Sequence, residues 1–101
     1  MSAINISKEL GEDIVTREHG ERLRHLVEAR LDSPPVVIDF GGLEITSVSF
    51  FDEAFGQLVL QRGEGFLEAI QLTGISPFDK ALVQDIVHSR AQERVKRAAR
   101  R

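Results

Sequence analysis

Hydroxyl and carboxylate side chains crowd one short stretch of this chain. In "VVIDFGGLEITSVSFFDEAFGQL", Asp39 nears the end of an apolar run, Thr46, Ser47 and Ser49 follow, and Asp52 and Glu53 come next. A hydroxyl at a helix start accepts a hydrogen bond from an amide the first turn leaves unpaired, or it lines a site. Ser49 and Asp52 have the spacing of a capping box. Spacing alone therefore predicts Ser49 as the cap of a helix beginning near Phe50, contributing about 1 kcal/mol. Asp39 has the position of a catalytic acid, but an aspartate at a strand end more often caps the loop that follows. Asp52 and Glu53 are adjacent, point to different parts of a helix surface, and make no evident acid/base pair.

Other chemistries find little footing. His19 and His25 are six positions apart, about 240° around a helix, and His88 is remote in sequence, so no ligand pair is formed. The chain has no cysteine, which excludes disulfides, thiolate metal sites and thiol catalysis and fits a reducing compartment. No phosphate-binding loop, dinucleotide fingerprint or nucleophile elbow is present. Gly41-Gly42 follows a strand without opening directly into a helix and reads as a turn. The expectation is a protein that is not an enzyme and needs no cofactor or metal.

The elements that must position the hydroxyl stretch follow from hydrophobic period. "VVIDF" (Val36 to Phe40) is a continuous apolar run with one acid, the pattern of a strand buried on both faces. "GGLEITSV" is a loop. A helix over 50–62 follows, with Phe51, Ala54, Phe55 and Leu58 at i, i+3, i+4, i+7 spacing and "GEG" closing it. Val37, Phe40, Phe51, Phe55 and Leu58 are the expected centre of the core. Upstream, "AINIS" reads as a short strand, Gly11 as a turn and "DIVT" as a second extended piece, the two pairing as a hairpin. Thr16 caps a helix with Glu18 in its first turn, Leu23, Val27 and Leu31 as its stripe, and "DSPP" as its end. Downstream, "FLEAIQL" (Phe66 to Leu72) is the next strand. Ser76, Pro77 and Asp79 then open the last helix as cap, first residue and capping-box acid. Its expected buried stripe is Phe78, Leu82, Val83, Ile86 and Val87, thinning after Arg90 to Ala91, Val95, Ala98 and Ala99. Strand and helix alternate three times. That order predicts an α/β layer fold, in two or three layers, with mostly parallel central strands and right-handed crossovers.

The chain has 101 residues, 42% apolar and 29% charged, with mean hydropathy −0.14. One soluble domain fits those values: an α/β domain over 1–90, with 91–101 a basic extension of the last helix. No apolar run approaches the ~18 residues of a membrane span, and "MSAINISKEL" shows no signal-peptide pattern. A cytoplasmic protein is expected. Net charge is −3 but uneven. Residues 90–101 hold six bases and one acid, leaving 7 bases and 15 acids in the first 89 residues. The basic stretch, with Arg90, Arg94, Arg97 and Arg100 as candidate contacts, admits three readings. It is a solvated helix end that complements the helix dipole, a helix that docks on an acidic protein or a second copy, or a weak nucleic-acid contact. The last is disfavoured by the absence of aromatic residues for stacking and by the acidic body.

The stretch "VVIDFGGLEITSVSFFDEAFGQLVLQRG", with "TREHGERLRHLV" before it and "GISPFDKALVQDIVHSR" after it, resembles the STAS superfamily. It is closer still to a STAS-like family of unassigned function, marked by an apolar strand ending in Asp-Phe, a short loop and a Ser-Phe-x-[DE] helix start. The resemblance runs from about Ile4 to Arg90. It implies a prokaryotic regulatory module that works by protein–protein interaction, as the STAS antagonists of anti-sigma factors do. In those antagonists a serine in an Asp-Ser-Ser-Gly turn is phosphorylated by an ATP-binding partner kinase, which switches binding off. The matching residues here are Ser47-Val48-Ser49-Phe50. Ser49 falls on the phosphoacceptor, Ser47 replaces the aspartate, and Phe50 replaces the glycine. The resemblance thus makes Ser49 the candidate phosphoacceptor and Asp39, Thr46, Ser47, Val48, Ser49 and Asp52 the candidate partner surface. Its scaffold also suits a small inhibitor or adaptor of a protein or protein–nucleic acid complex acting through the basic helix.

Overall fold

The computed structural model describes residues 2–11 and 16–100. Three strands, β1 (Ser2–Asn5), β2 (Val36–Asp39) and β3 (Ile70–Thr73), form a parallel sheet in the order β1-β2-β3. Ile4 pairs with Ile38, and Ile38 with Leu72. The helices are α1 (Ile6–Leu10), α2 (Arg17–Glu28), α3 (Val48–Phe51), α4 (Gln57–Arg62) and α5 (Pro77–Ala99). A π-helical stretch, Asp52–Gly56, joins α3 to α4 without a break.

Sequential order with parallel pairing puts every right-handed crossover on the same face, and burial agrees. Ile4, Val36, Ile38 and Phe40 are buried on one face, whereas Ala3, Asn5, Gln71 and Thr73 on the other are exposed. The fold is therefore two-layered. β2 is not buried on both faces as its apolar run suggests: Val37 and Asp39 are only half-buried. The core between the layers is aromatic. Phe40, Phe50, Phe51 and Phe55 are essentially inaccessible. Phe51 meets Phe50 edge-on, with ring centroids 5.3 Å apart, and lies 6.2 Å from Phe40.

Several boundaries differ from the sequence expectation, each for a local reason. β1 stops at Asn5 because the Asn5 side chain accepts the Lys8 amide and starts α1. β1 then pairs with β2, and of the extended piece read over "DIVT" all but Thr16 lies outside the described residues. Gly11, at φ 89°, closes α1 as the expected turn. Thr16 caps α2 as expected, but α2 ends at Glu28, so Leu31 packs from the following turn. Phe66 to Ala69 is not strand but part of a 3-10 helix, Glu64–Ala69. Those residues lack β-branching, and β3 begins where Ile70 supplies it. Phe78, expected in the buried stripe, is 61% exposed. The inward face of α5 is set by Asp79, Val83, Ile86 and Val87, and Phe78 stands about 100° from Asp79 around the helix.

Candidate functional site

At the carboxyl end of β2, Asp39 ends the strand and turns its carboxylate onto the loops. Its Oδ1 accepts the Gly41 amide at 2.9 Å and the Thr73 hydroxyl at 3.3 Å. The Phe40 amide donates to the Thr73 carbonyl, and the Gly42 amide to the Gly74 carbonyl. Gly74, at φ 64°, is needed there, since a Cβ would come within 2.8 Å of the Gly41 nitrogen. Asp39 thus ties the loops after β2 and β3 together.

The same loop then meets α5. Asp79 is completely buried, and its carboxylate accepts the Ile45 amide at 2.7 Å and the Thr46 amide at 2.9 Å. The sequence assigned this acid to a capping box. Ser76 does cap α5, accepting the Asp79 amide, but the carboxylate is directed to the other loop. Thr46 is held at φ 46°, a left-handed conformation that β-branched residues rarely adopt. Two charge-assisted hydrogen bonds to a buried acid flank and fix that turn.

Helix α3 is capped by Ser47, not Ser49. The Phe50 amide donates to Ser47 Oγ at 3.1 Å, and the Phe51 amide to the Ser47 carbonyl. Ser49 is already the second helical residue, half-buried, between exposed Val48 and buried Phe50. Val48 is 57% exposed. Thr46, Val48 and Ser49 therefore occur together on a fixed turn, whereas Asp39 is engaged in the loops behind it.

Asp52, expected in the capping box, pairs instead with Arg90. Arg90 grips it as a fork, Nε to Oδ1 at 2.7 Å and one terminal nitrogen to Oδ2 at 2.6 Å. Arg90 also pairs with Glu93. These contacts, Asp52 foremost, raise the Arg90 pKa still further above its ordinary value. Gly56 makes the fork possible: a Cβ there would overlap the Asp52 carboxylate. Glu53 is likewise satisfied by Arg17 and Arg24. The Arg17 hydrogen bond, with Arg24 adding to it, holds its carboxyl below the usual value of 4.5. Of the basic contacts read from sequence, Arg94 donates to the Leu60 carbonyl at the end of α4. Arg97 pairs with Glu93, and Arg100 is exposed.

Between α3 and α5 an open groove of about 440 Å³ is lined by Val48, Asp52, Leu82, Asp85, Ile86 and Arg90 among others. Helical period placed Leu82 and Ile86 on the inner side of α5, and nothing local showed that they would wall a groove with Val48. A second cavity of about 300 Å³ lies between β3, the 3-10 helix and α5, with Phe55, Leu67, Leu72, Val83 and Val87 in its wall. Among the described residues no cluster of three histidines or acids forms a metal site. No helix among them is long and apolar enough to cross a membrane.

These features define a mixed α/β domain whose distinctive surface is a fixed loop-to-helix turn at the carboxyl end of its central parallel strand. Residues 19–80 match the STAS-like domain of unknown function (DUF4325), and the chain belongs to that family. No curated protein and no solved structure matches it.

Proposed function

We propose that the chain is a non-enzymatic regulatory module that binds another protein through the turn from Thr46 to Ser49 and the adjoining groove. One observation carries this reading. A strained, solvent-exposed threonine turn, clamped by the buried Asp79 carboxylate, presents Val48 beside an open groove. Fixing such a conformation costs about 1–3 kcal/mol, and strain of this kind clusters where a surface does work. The acids near the turn are engaged in structure. Asp39 ties loops, Asp52 forks Arg90, and Asp79 holds amides, which favours recognition over acid/base chemistry.

Ser49 is the phosphoacceptor in this reading, with an ATP-dependent kinase as one partner. A phosphate on Ser49 would be repelled by Asp52 three residues on, and the Arg90 fork offsets that charge. A phosphate in the first turn of a helix is also favourably placed for the dipole.

The test is co-purification from the native cell with mass spectrometry, using the wild type, Val48→Glu and Ser49→Asp at matched thermal stability. A partner lost from both variants, with phosphate on Ser49 in the wild type, is the expected result. The same partners at full recovery from both variants would sink the reading.

A further inference from the structure

The outer face of α5 has a pattern the inner face does not explain. Its exposed residues Phe78, Ala81, Asp85, His88, Gln92, Val95 and Ala99 recur at alternating steps of three and four. That is the spacing of a helix-pair seam, apolar at its two ends (Phe78, Ala81, Val95, Ala99) and polar at its centre (Asp85, His88, Gln92). Two of the large apolar side chains standing in solvent, Phe78 at 61% and Val95 at 68%, lie at opposite ends of this one stripe. We infer that this seam is a homodimer interface in which α5 pairs antiparallel with α5 of a second copy about a two-fold axis near His88.

The complementarity is specific to a second copy. Under that symmetry Phe78 of one chain lies over Ala99 of the other, and Ala81 meets Val95, so a large residue faces a small one at each end. Asp85 lies opposite Gln92, one turn from Lys96 of the second copy. The charge pattern also selects the direction. On the seam and its flank α5 carries Asp85 in its first half and the exposed Lys96 in its second, while the exposed Lys80 lies about 100° around the helix from the centre of the stripe. Antiparallel pairing sets acid against base and opposes the helix dipoles. Parallel pairing would set the basic ends side by side and stack Phe78 on Phe78. The helix is long enough to serve: 23 residues span about 34 Å. An isologous contact of this kind closes on itself as a dimer. The seam borders the groove beside Val48 at Asp85, but the pairing and its test do not depend on the function proposed for the β2–α3 turn.

Sedimentation equilibrium on the full chain should give twice the 11.3 kDa chain mass at high protein concentration. Phe78→Glu and Val95→Glu should each return it to one chain mass. Both positions are exposed in the single chain, so circular dichroism should not change, nor should the thermal midpoint at a protein concentration low enough for the wild type to be a single chain too. The cysteine-free sequence permits a direct check of direction. Chains carrying Ala81→Cys, mixed with chains carrying Val95→Cys and oxidised, should cross-link to each other in preference to themselves. A single-chain mass at every concentration, a dimer that survives both glutamate substitutions, or cross-linking of Ala81→Cys chains mainly to themselves would overturn the pairing.

Discussion

Ser47 accepts the Phe50 amide, and Ser49, two residues on, is already inside the helix. Both serines suit a cap by type, and Ser49 has the better spacing to an acid. The choice is made by Asp79, 33 residues from Thr46 in sequence. By fixing Ile45 and Thr46 it brings Ser47, rather than Ser49, to the last extended position before the helix. Substitution separates the two serines. Ser47→Ala should lower stability by about 1–2 kcal/mol, and Ser49→Ala by less than about 0.5 kcal/mol. Urea melts with matched slopes would read both, and equal losses would return the cap to Ser49. This is where the sequence stops being legible. Residue type and local spacing identified the turn and its hydroxyls. A buried carboxylate arriving from another element decided which hydroxyl does what. Asp52 shows the same limit, because its partner Arg90 lies 38 residues away.

Helices and strands were readable where their period was long and their caps local. Thr16 and Ser76 cap the expected helices, and the apolar run at Val36 gives the central strand. What period cannot show is how closely two elements approach. Gly20, in the first turn of α2, looks like a helix weakness in the sequence. In the structure a Cβ at that position would run into the Phe50 carbonyl oxygen and crowd Glu53, so glycine lets α2 lie against the start of α3. Gly20→Ala should destabilise by about 1–3 kcal/mol through overpacking, exceeding the roughly 1 kcal/mol that alanine gains over glycine in a helix. Gly65→Ala is the control, since nothing lies within 4 Å of its added methyl group. It should be neutral or slightly stabilising by the same melts. A stabilised Gly20→Ala would mean that α2 and α3 are not in close contact.

At the scale of the whole molecule, charge is organised rather than merely uneven. The acidic body and the basic end of α5 meet where half-buried Arg90 joins Asp52 and, within α5, Glu93, and α2 meets the π-helical stretch where Arg17 and Arg24 hold Glu53. This sets a pH dependence. The folded-state pKa of Glu53 is lowered, so its contribution is fully present above the unfolded value near 4.5 and is lost as pH falls through the folded value. Unfolded chains bind more protons in that window, and stability should therefore rise with pH across it. Glu53→Gln should flatten the rise below 4.5 in thermal melts taken across acidic buffers, and an unchanged slope would remove Glu53 as its source. Asp79 has a consequence of another kind. It belongs to the first turn of α5, yet it grips the backbone before α3. A shift of that helix end must carry the Thr46 turn with it or break two bonds worth about 1.5–3 kcal/mol each. The first turn of α5 and the Thr46 turn are thus riveted together by one side chain.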